Sequence, residues 1–208
     1  MLQLERAYSA VLFDMDGTLL DSRIVCERVM TDWCVANGID SAALLAVSLG
    51  RRTVDVVREF AKPGMDCEAE AAGIEAAENS DVDGIVPVPG ALDLLNRLPA
   101  RRWAVVTSAG RDLAIRRLTA AGLPILDLLV TAEDIKRGKP DPAGYILAAE
   151  RLGTRAEDCL VFEDAPAGIE AGQKAGADVI AIGFASSTGT THPCPVISDF
   201  SEIDFKLA

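Results

Sequence analysis

Histidine occurs once in the 208 residues, at His192, and a lone imidazole cannot assemble a metal centre by itself. Positive charge is also scarce. Twenty basic residues face 32 acidic ones, and the net charge of -12 opposes nonspecific attraction to nucleic acid or to an anionic membrane. No run of 18 apolar residues is present, and the first ten residues lack the long apolar stretch of a signal peptide, so the chain reads as a soluble cytoplasmic protein. The five cysteines, Cys26, Cys34, Cys67, Cys159 and Cys194, follow neither a metal-ligand spacing nor that of a small secreted domain. They read as free thiols in a reducing compartment. Internal repeats and low-complexity tracts are missing too, which leaves a globular enzyme or binding protein to be found.

What is present begins with a 50% hydrophobic content, enough for a buried core plus a sizeable insertion. Val11, Leu12 and Phe13 make a short apolar run that breaks at Asp14; Asp16 follows, and Gly17 permits a tight turn. Two carboxylates at the end of a buried strand suggest a bound cation and a reacting group. The next strongly apolar strand starts only at Trp103. Between them Val25, Val29, Trp33 and Ala36, then Val54, Val57 and Phe60, recur at helical spacing, and 67 to 78 continues the pattern. The stretch 79 to 90 reads as a return linker rich in turn residues.

From residue 91 the pattern alternates: helix 91 to 98, strand 102 to 107, helix 111 to 121, strand 127 to 131, helix 141 to 151, strand 159 to 163, helix 167 to 175, strand 178 to 182. Val196 and Ile197 add an edge strand, and 186 to 191 reads as a surface loop. Such alternation predicts an α/β fold, a Rossmann-like, mostly parallel sheet with helices on both faces. The helical insertion spans 20–85 and the core 1–19 and 86–208. Gly168, Gly172 and Gly176 predict close packing of a helix on the sheet. Trp33 and Trp103 read as core, and His192 as a surface residue.

Thr107, Lys139 and the pair Glu163-Asp164 each lie just beyond a predicted strand, where open α/β sheets gather their ligands. With Asp-Met-Asp-Gly-Thr at 14 to 18, Thr107-Ser108, Lys139 in Gly-Lys-Pro, and Glu163-Asp164, the chain resembles the haloacid dehalogenase superfamily over nearly its whole length. Gly-Arg-Arg-Thr at 50 to 53, Val-Thr-Ser-Ala-Gly at 106 to 110 and Phe-Glu-Asp-Ala-Pro-Ala-Gly at 162 to 168 look like its sugar-phosphate and glycerol-phosphate phosphatases, in the β-phosphoglucomutase-like branch. Many of those carry a His just before the cap glycine, where this chain has Leu49.

The resemblance implies a Mg²⁺-dependent phosphatase acting on a small phosphorylated metabolite, with no nucleic-acid or membrane partner, as a monomer or weak homodimer. Asp14 would be the nucleophile and Asp16 the proton donor and later base. Mg²⁺ would bind Asp14, the Asp16 backbone carbonyl and Asp164, with Glu163 acting through a second-shell water. Thr107, the Ser108 and Ala109 amides and Lys139 would hold the transferring phosphoryl group, and Thr18 would help position the first loop. Arg51 and Arg52 are the candidate substrate contacts of the cap, because guanidinium forks fit oxyanions. Two alternatives stand beside hydrolysis. One is a β-phosphoglucomutase-like sugar phosphomutase, although Thr18 and Leu20 replace the Val and His those enzymes commonly carry. The other is a noncatalytic phosphometabolite-binding regulatory protein.

Overall fold

A computed structural model describes residues 1–125, 128–183 and 194–208. Among the described residues, ten strands and eight α-helices follow one another. The central strand of the main sheet is β2 (Ala10–Phe13), every residue of which is buried. It pairs in parallel with β5 (Trp103–Val106) on one side and β7 (Cys159–Glu163) on the other. Outward from these lie β6 (Leu129–Val130), next to β5, and β8 (Asp178–Ile182) and β9 (Val196–Ile197), beyond β7. All six strands run the same way. A parallel sheet must be covered on both faces, which is why its strands read as unbroken apolar runs rather than alternating ones.

Helices α5 (Ala91–Arg97), α6 (Arg111–Ala120), α7 (Ala143–Arg151) and α8 (Pro166–Lys174) supply the cover. Two apolar clusters result, one on each face. The first holds Phe13, Trp103 and Phe162, and the second holds Leu12, Val106 and Val161. Phe13 and Phe162 are register partners and stack with centroids 5.3 Å apart, so the two strands that carry the acidic ends are locked side by side. Gly172 lets α8 lie close on the sheet: a Cβ there would meet Val179 at 2.9 Å and Val161 at 3.2 Å.

Between β3 (Leu20–Asp21) and β4 (Val86–Pro87), which pair antiparallel, the chain makes four helices. These are α1 (Arg23–Asn37), α2 (Ser41–Ser48), α3 (Thr53–Phe60) and α4 (Cys67–Ser80). The sequence pattern predicts three of them. α2 escapes because Ser-Ala-Ala-Leu-Leu-Ala-Val-Ser is apolar without a helical stripe; only its N-cap, Asp40, accepting from the Ala42 and Ala43 amides, marks it. The terminal strands β1 (Leu2–Tyr8) and β10 (Ile203–Leu207) form a separate parallel pair, also unforeseen, although Ile203, Phe205 and Leu207 alternate as a strand should. The return segment 79 to 90 holds the end of α4 and β4 rather than turns alone. The expected loop 186 to 191 and His192 lie outside the described residues, as does residue 127 of the strand predicted at 127 to 131. Among the described residues no helix is long and apolar enough to cross a membrane.

Candidate active site

The carboxyl ends of β2, β5 and β7 meet at one edge of the sheet, on the two sides of the central strand where the chain order reverses. Such a switch point leaves a crevice because neighbouring strands send their connections to opposite faces. A cavity of about 600 Å³ opens there, floored by Asp14, Asp16, Thr107 and Asp164 and roofed by residues of α1, α2 and the turn into α3.

Asp14 follows β2 directly, its amide donating to the Phe162 carbonyl at 3.0 Å, so the backbone of β7 fixes where the carboxylate emerges. The ammonium of Lys139 donates to Asp14 Oδ1 and lies 2.6 Å from Glu163 Oε1; it also donates to the Val106 carbonyl at 3.2 Å. The Tyr145 hydroxyl donates to the same Glu163 oxygen at 2.6 Å, and the Asp164 and Ala165 amides donate to its Oε2. Glu163 is wholly buried, and its side chain fits because Gly168 has none: a Cβ there would stand 1.7 Å from Glu163 Oε1. Gly168, expected to let the helix pack closely on the sheet, does so against this acid of β7.

Burial and the Glu163 carboxylate push Asp14 up to about 8, against the pull of Lys139. Asp164 is raised well above the usual carboxylate range, by burial first and then by Asp14 and Glu163. Burial alone would lower Lys139, but the facing Asp14 and Glu163 carboxylates outweigh it and hold the ammonium above its ordinary value. One cation is thus set among three buried acids. A ligand atom from each of Asp14, Glu163 and Asp164 lies within 4.8 Å of the others. Asp14 Oδ2 and Asp164 Oδ1 are buried with no hydrogen-bond partner, and Gly17, at φ 85°, passes so close that a Cβ would sit 2.0 Å from Asp164 Oδ2. Unpaired buried carboxylate oxygens are costly, and an all-oxygen set of this kind fits a hard divalent cation.

Asp16, two residues on, sits differently. Its Oδ1 accepts from Ser22 Oγ at 2.6 Å and from Arg117 Nη1 at 2.9 Å, and its side chain stays 27% exposed on the cavity. Arg117 is itself buried on α6. Its Nη2 lies 3.2 Å from Glu78 Oε2 on α4 and 3.2 Å from Cys26 Sγ on α1. Sequence reading misses Arg117, Glu78, Ser22 and Tyr145. For the first two a signal exists: Arg117 falls in line with Leu113, Ala114 and Leu118, and Glu78 with Ala71 and Ile74, so each charge stands on the apolar stripe of its helix.

Of the remaining candidates, Thr107 is buried at the end of β5, where its Oγ1 accepts from the Ala109 amide at 3.1 Å. Ser108 Oγ donates to the Gly50 carbonyl at 2.8 Å, tying the edge of the sheet to the helices above it. Gly50, at φ 72°, makes that approach with little to spare, since a Cβ would meet that of Ala165 at 2.6 Å. Thr18 is fully buried, its hydroxyl without a partner. Arg51 lines the cavity while pairing with Glu59 at 2.9 Å. Arg52 is not among the lining residues; its guanidinium forks onto Asp55 at 2.7 and 3.0 Å and donates to the Lys136 carbonyl at 3.2 Å.

Comparison with known proteins agrees with this geometry. The profile of a hydrolase family, described as haloacid dehalogenase-like hydrolase, matches residues 8–176. Hexitol phosphatase A of Escherichia coli is 40% identical over 181 residues, covering 85% of this chain and 84% of its own. 2-Deoxyglucose-6-phosphate phosphatase 1 of Saccharomyces cerevisiae is 36% identical over 201 residues, covering 85% and 79%. Among solved structures, β-phosphoglucomutase of Clostridium difficile superposes with a TM-score of 0.80 over 95% of this chain and 94% of its own, at 19% identity, a likeness of fold.

Proposed function

Since the chain belongs to the haloacid dehalogenase-like hydrolases, we propose that it hydrolyses a small phosphomonoester, a sugar or polyol phosphate, through an aspartyl-phosphate. The observation that carries this reading is the pair Asp14 and Asp16 on one cavity floor in opposite settings, the first buried against Lys139 and the second partly open. A carboxylate oxygen of Asp14 attacks phosphorus, and the bond from phosphorus to the substrate oxygen breaks. Asp16 gives its proton to the departing alkoxide. Water then attacks the phosphorylated Asp14, Asp16 takes the proton back, and inorganic phosphate leaves with the carboxylate restored.

Lys139 and the Thr107 hydroxyl hold the phosphoryl oxygens, with the Ser108 and Ala109 amides at the start of the loop beside them. Asp14, the Asp16 backbone carbonyl and Asp164 hold Mg²⁺, with Glu163 behind them. When bound, Mg²⁺ offsets the repulsion between the acids and the phosphoryl group and orients the two. The unpartnered Asp14 Oδ2 and Asp164 Oδ1 support that site. Residues 20–85 act as a cap on a core of 1–19 and 86–208, and closure of the cap excludes bulk water from the aspartyl-phosphate. The relatives' names favour a polyol or sugar phosphate as substrate.

A screen of phosphorylated sugars and polyols with Mg²⁺, reading free phosphate, tests the proposal. Phosphate release with an Asp14-bound adduct trapped by rapid quench is the expected result. An isomeric sugar phosphate without phosphate release would overturn it in favour of a mutase, and binding without turnover would favour a regulatory protein.

A further inference from the structure

Arg117 is the one arginine of α6 that faces inward, and it is 3% exposed. Burying a guanidinium so deeply is costly unless it is paired. Both Nη atoms of Arg117 are paired, while its Nε is buried without a partner among the described residues. Nη1 holds Asp16 Oδ1 at 2.9 Å, while Nη2 lies 3.2 Å from Glu78 Oε2 and donates to Cys26 Sγ at 3.2 Å. Asp16 belongs to the loop after β2, whereas Glu78 and Cys26 belong to the helical insertion. Ser22, at the N-cap of α1, donates to the same Oδ1 at 2.6 Å. Both bonds therefore fall on one oxygen of Asp16. Among the described residues its Oδ2 makes none, and the side chain lines the cavity.

We propose that Arg117 is a positioning residue: it pins Asp16 by Oδ1 so that Oδ2 faces the leaving oxygen, and it makes that aim depend on the insertion being seated, through Glu78. A carboxylate on a short side chain has a freely turning end unless something grips it, and proton transfer needs the two heavy atoms within hydrogen-bond reach. A planar fork with two ends can grip one acid while anchored to another, which an ammonium does less well. Glu78 is the anchor. With the α4 helix lifted away, Arg117 loses its second carboxylate and Ser22 moves with α1, so Asp16 is left with a single grip that nothing anchors. Proton donation is thereby confined to the closed arrangement, in which the departing alkoxide is shielded from water.

This inference rests on the hydrolytic reading of the site, and leaving-group dependence separates the two. A p-nitrophenolate leaves without help, whereas a sugar or glycerol alkoxide needs the proton of Asp16, and kcat/KM reports the first transfer alone. In Arg117→Met, kcat/KM for glycerol phosphate is expected to fall on the order of 10²-fold and that for p-nitrophenyl phosphate less than about 10-fold, so their ratio shifts by at least ~10-fold. A role in packing alone would lower both equally. Glu78→Gln, which loosens the anchor and leaves Arg117 on Asp16, is expected to shift the ratio the same way by about 3-fold. If Arg117→Met does not fold, Arg117→Lys carries the test, since it keeps the charge but cannot fork to both acids; a several-fold shift in the same direction is expected. A folded, active variant of Arg117 with the wild-type ratio would overturn the positioning role, and an unchanged ratio in Glu78→Gln would overturn its coupling to the insertion. Failure of the wild-type protein to release phosphate from either ester would instead sink the hydrolytic reading itself.

Discussion

Asp14 and Asp16 are two residues apart, and each is paired with a buried cation, yet the two pairs are built on different principles. Lys139, Glu163 and Tyr145 surround Asp14 from elements of the same sheet edge, and its surroundings are dry and crowded with acid. Arg117 reaches Asp16 from the sheet side but is anchored on α4, part of the insertion. The first network has no member on the insertion; the second has Glu78 and Cys26. Under the proposed mechanism, the group that holds its place throughout the reaction would be fixed by the sheet layer, and the one that acts at a single moment by contacts shared with the insertion.

Removing Asp14 should break this contrast most severely. In Asp14→Asn no covalent adduct is possible, and phosphate release is expected to fall by at least ~10²-fold, with no trapped phosphoenzyme in rapid-quench mass spectrometry. Lys139→Met should come next. Loss of one charge-stabilising donor is expected to lower kcat by about 10²- to 10³-fold. The same change leaves three buried acids without their cation, so the metal-free variant should also melt at a lower temperature, and Mg²⁺ should restore more of its melting point than in the wild type. An equal Mg²⁺ response in both proteins would show that Lys139 and the metal do not share the same acids.

Acidity sharpens the comparison by a smaller amount. Asp14 is raised from 3.8 to about 8 in the metal-free fold. A carboxyl that is harder to ionise when folded lends stability that is complete below its unfolded value and is lost as pH rises through the folded one. A cation needs the ionised form, so binding must displace a proton until about pH 8 is reached. The melting-point rise given by Mg²⁺ should therefore be larger at about pH 8 than at about pH 6, and a rise independent of pH would remove Asp14 from the metal site. The smallest effects belong to the arginines of the insertion. Arg51→Ala, which changes the wall of the cavity, should alter relative kcat/KM among sugar phosphates. Arg52→Ala should leave that ranking intact and cost about 1 kcal/mol of stability in urea titration through its lost fork to Asp55. The reverse pattern would make Arg52 the substrate contact.

The parts of the site that were legible in the sequence are those at strand ends. Asp14, Thr107 and Glu163 stand out because each interrupts or follows an apolar run, and a polar residue at that point has little structural reason to be there. Lys139 was legible from the Gly-Lys-Pro that surrounds it. The parallel character of the sheet followed from the same runs, since buried parallel strands announce themselves, whereas the order of the strands is seen only in the structure. Arg117 stayed hidden because Arg116 precedes it, and two adjacent arginines on a helix look like a solvated pair until the stripe shared with Leu113 and Leu118 is traced; only Arg116 is in fact exposed. Glu78 was lost in the same way among the glutamates of α4. The β1 and β10 pairing joins the two ends of the chain, a separation over which local pattern carries no information.

The contact at Gly50 has its own consequence. Ser108 Oγ is tied to the carbonyl of a residue that has no side chain of its own, so the two layers meet there across a single hydroxyl. A single methyl added at position 50 would work as a doorstop: the reactive floor would stay whole while the seam above it no longer shut, and the phosphorylated state would be left standing in a draught of solvent.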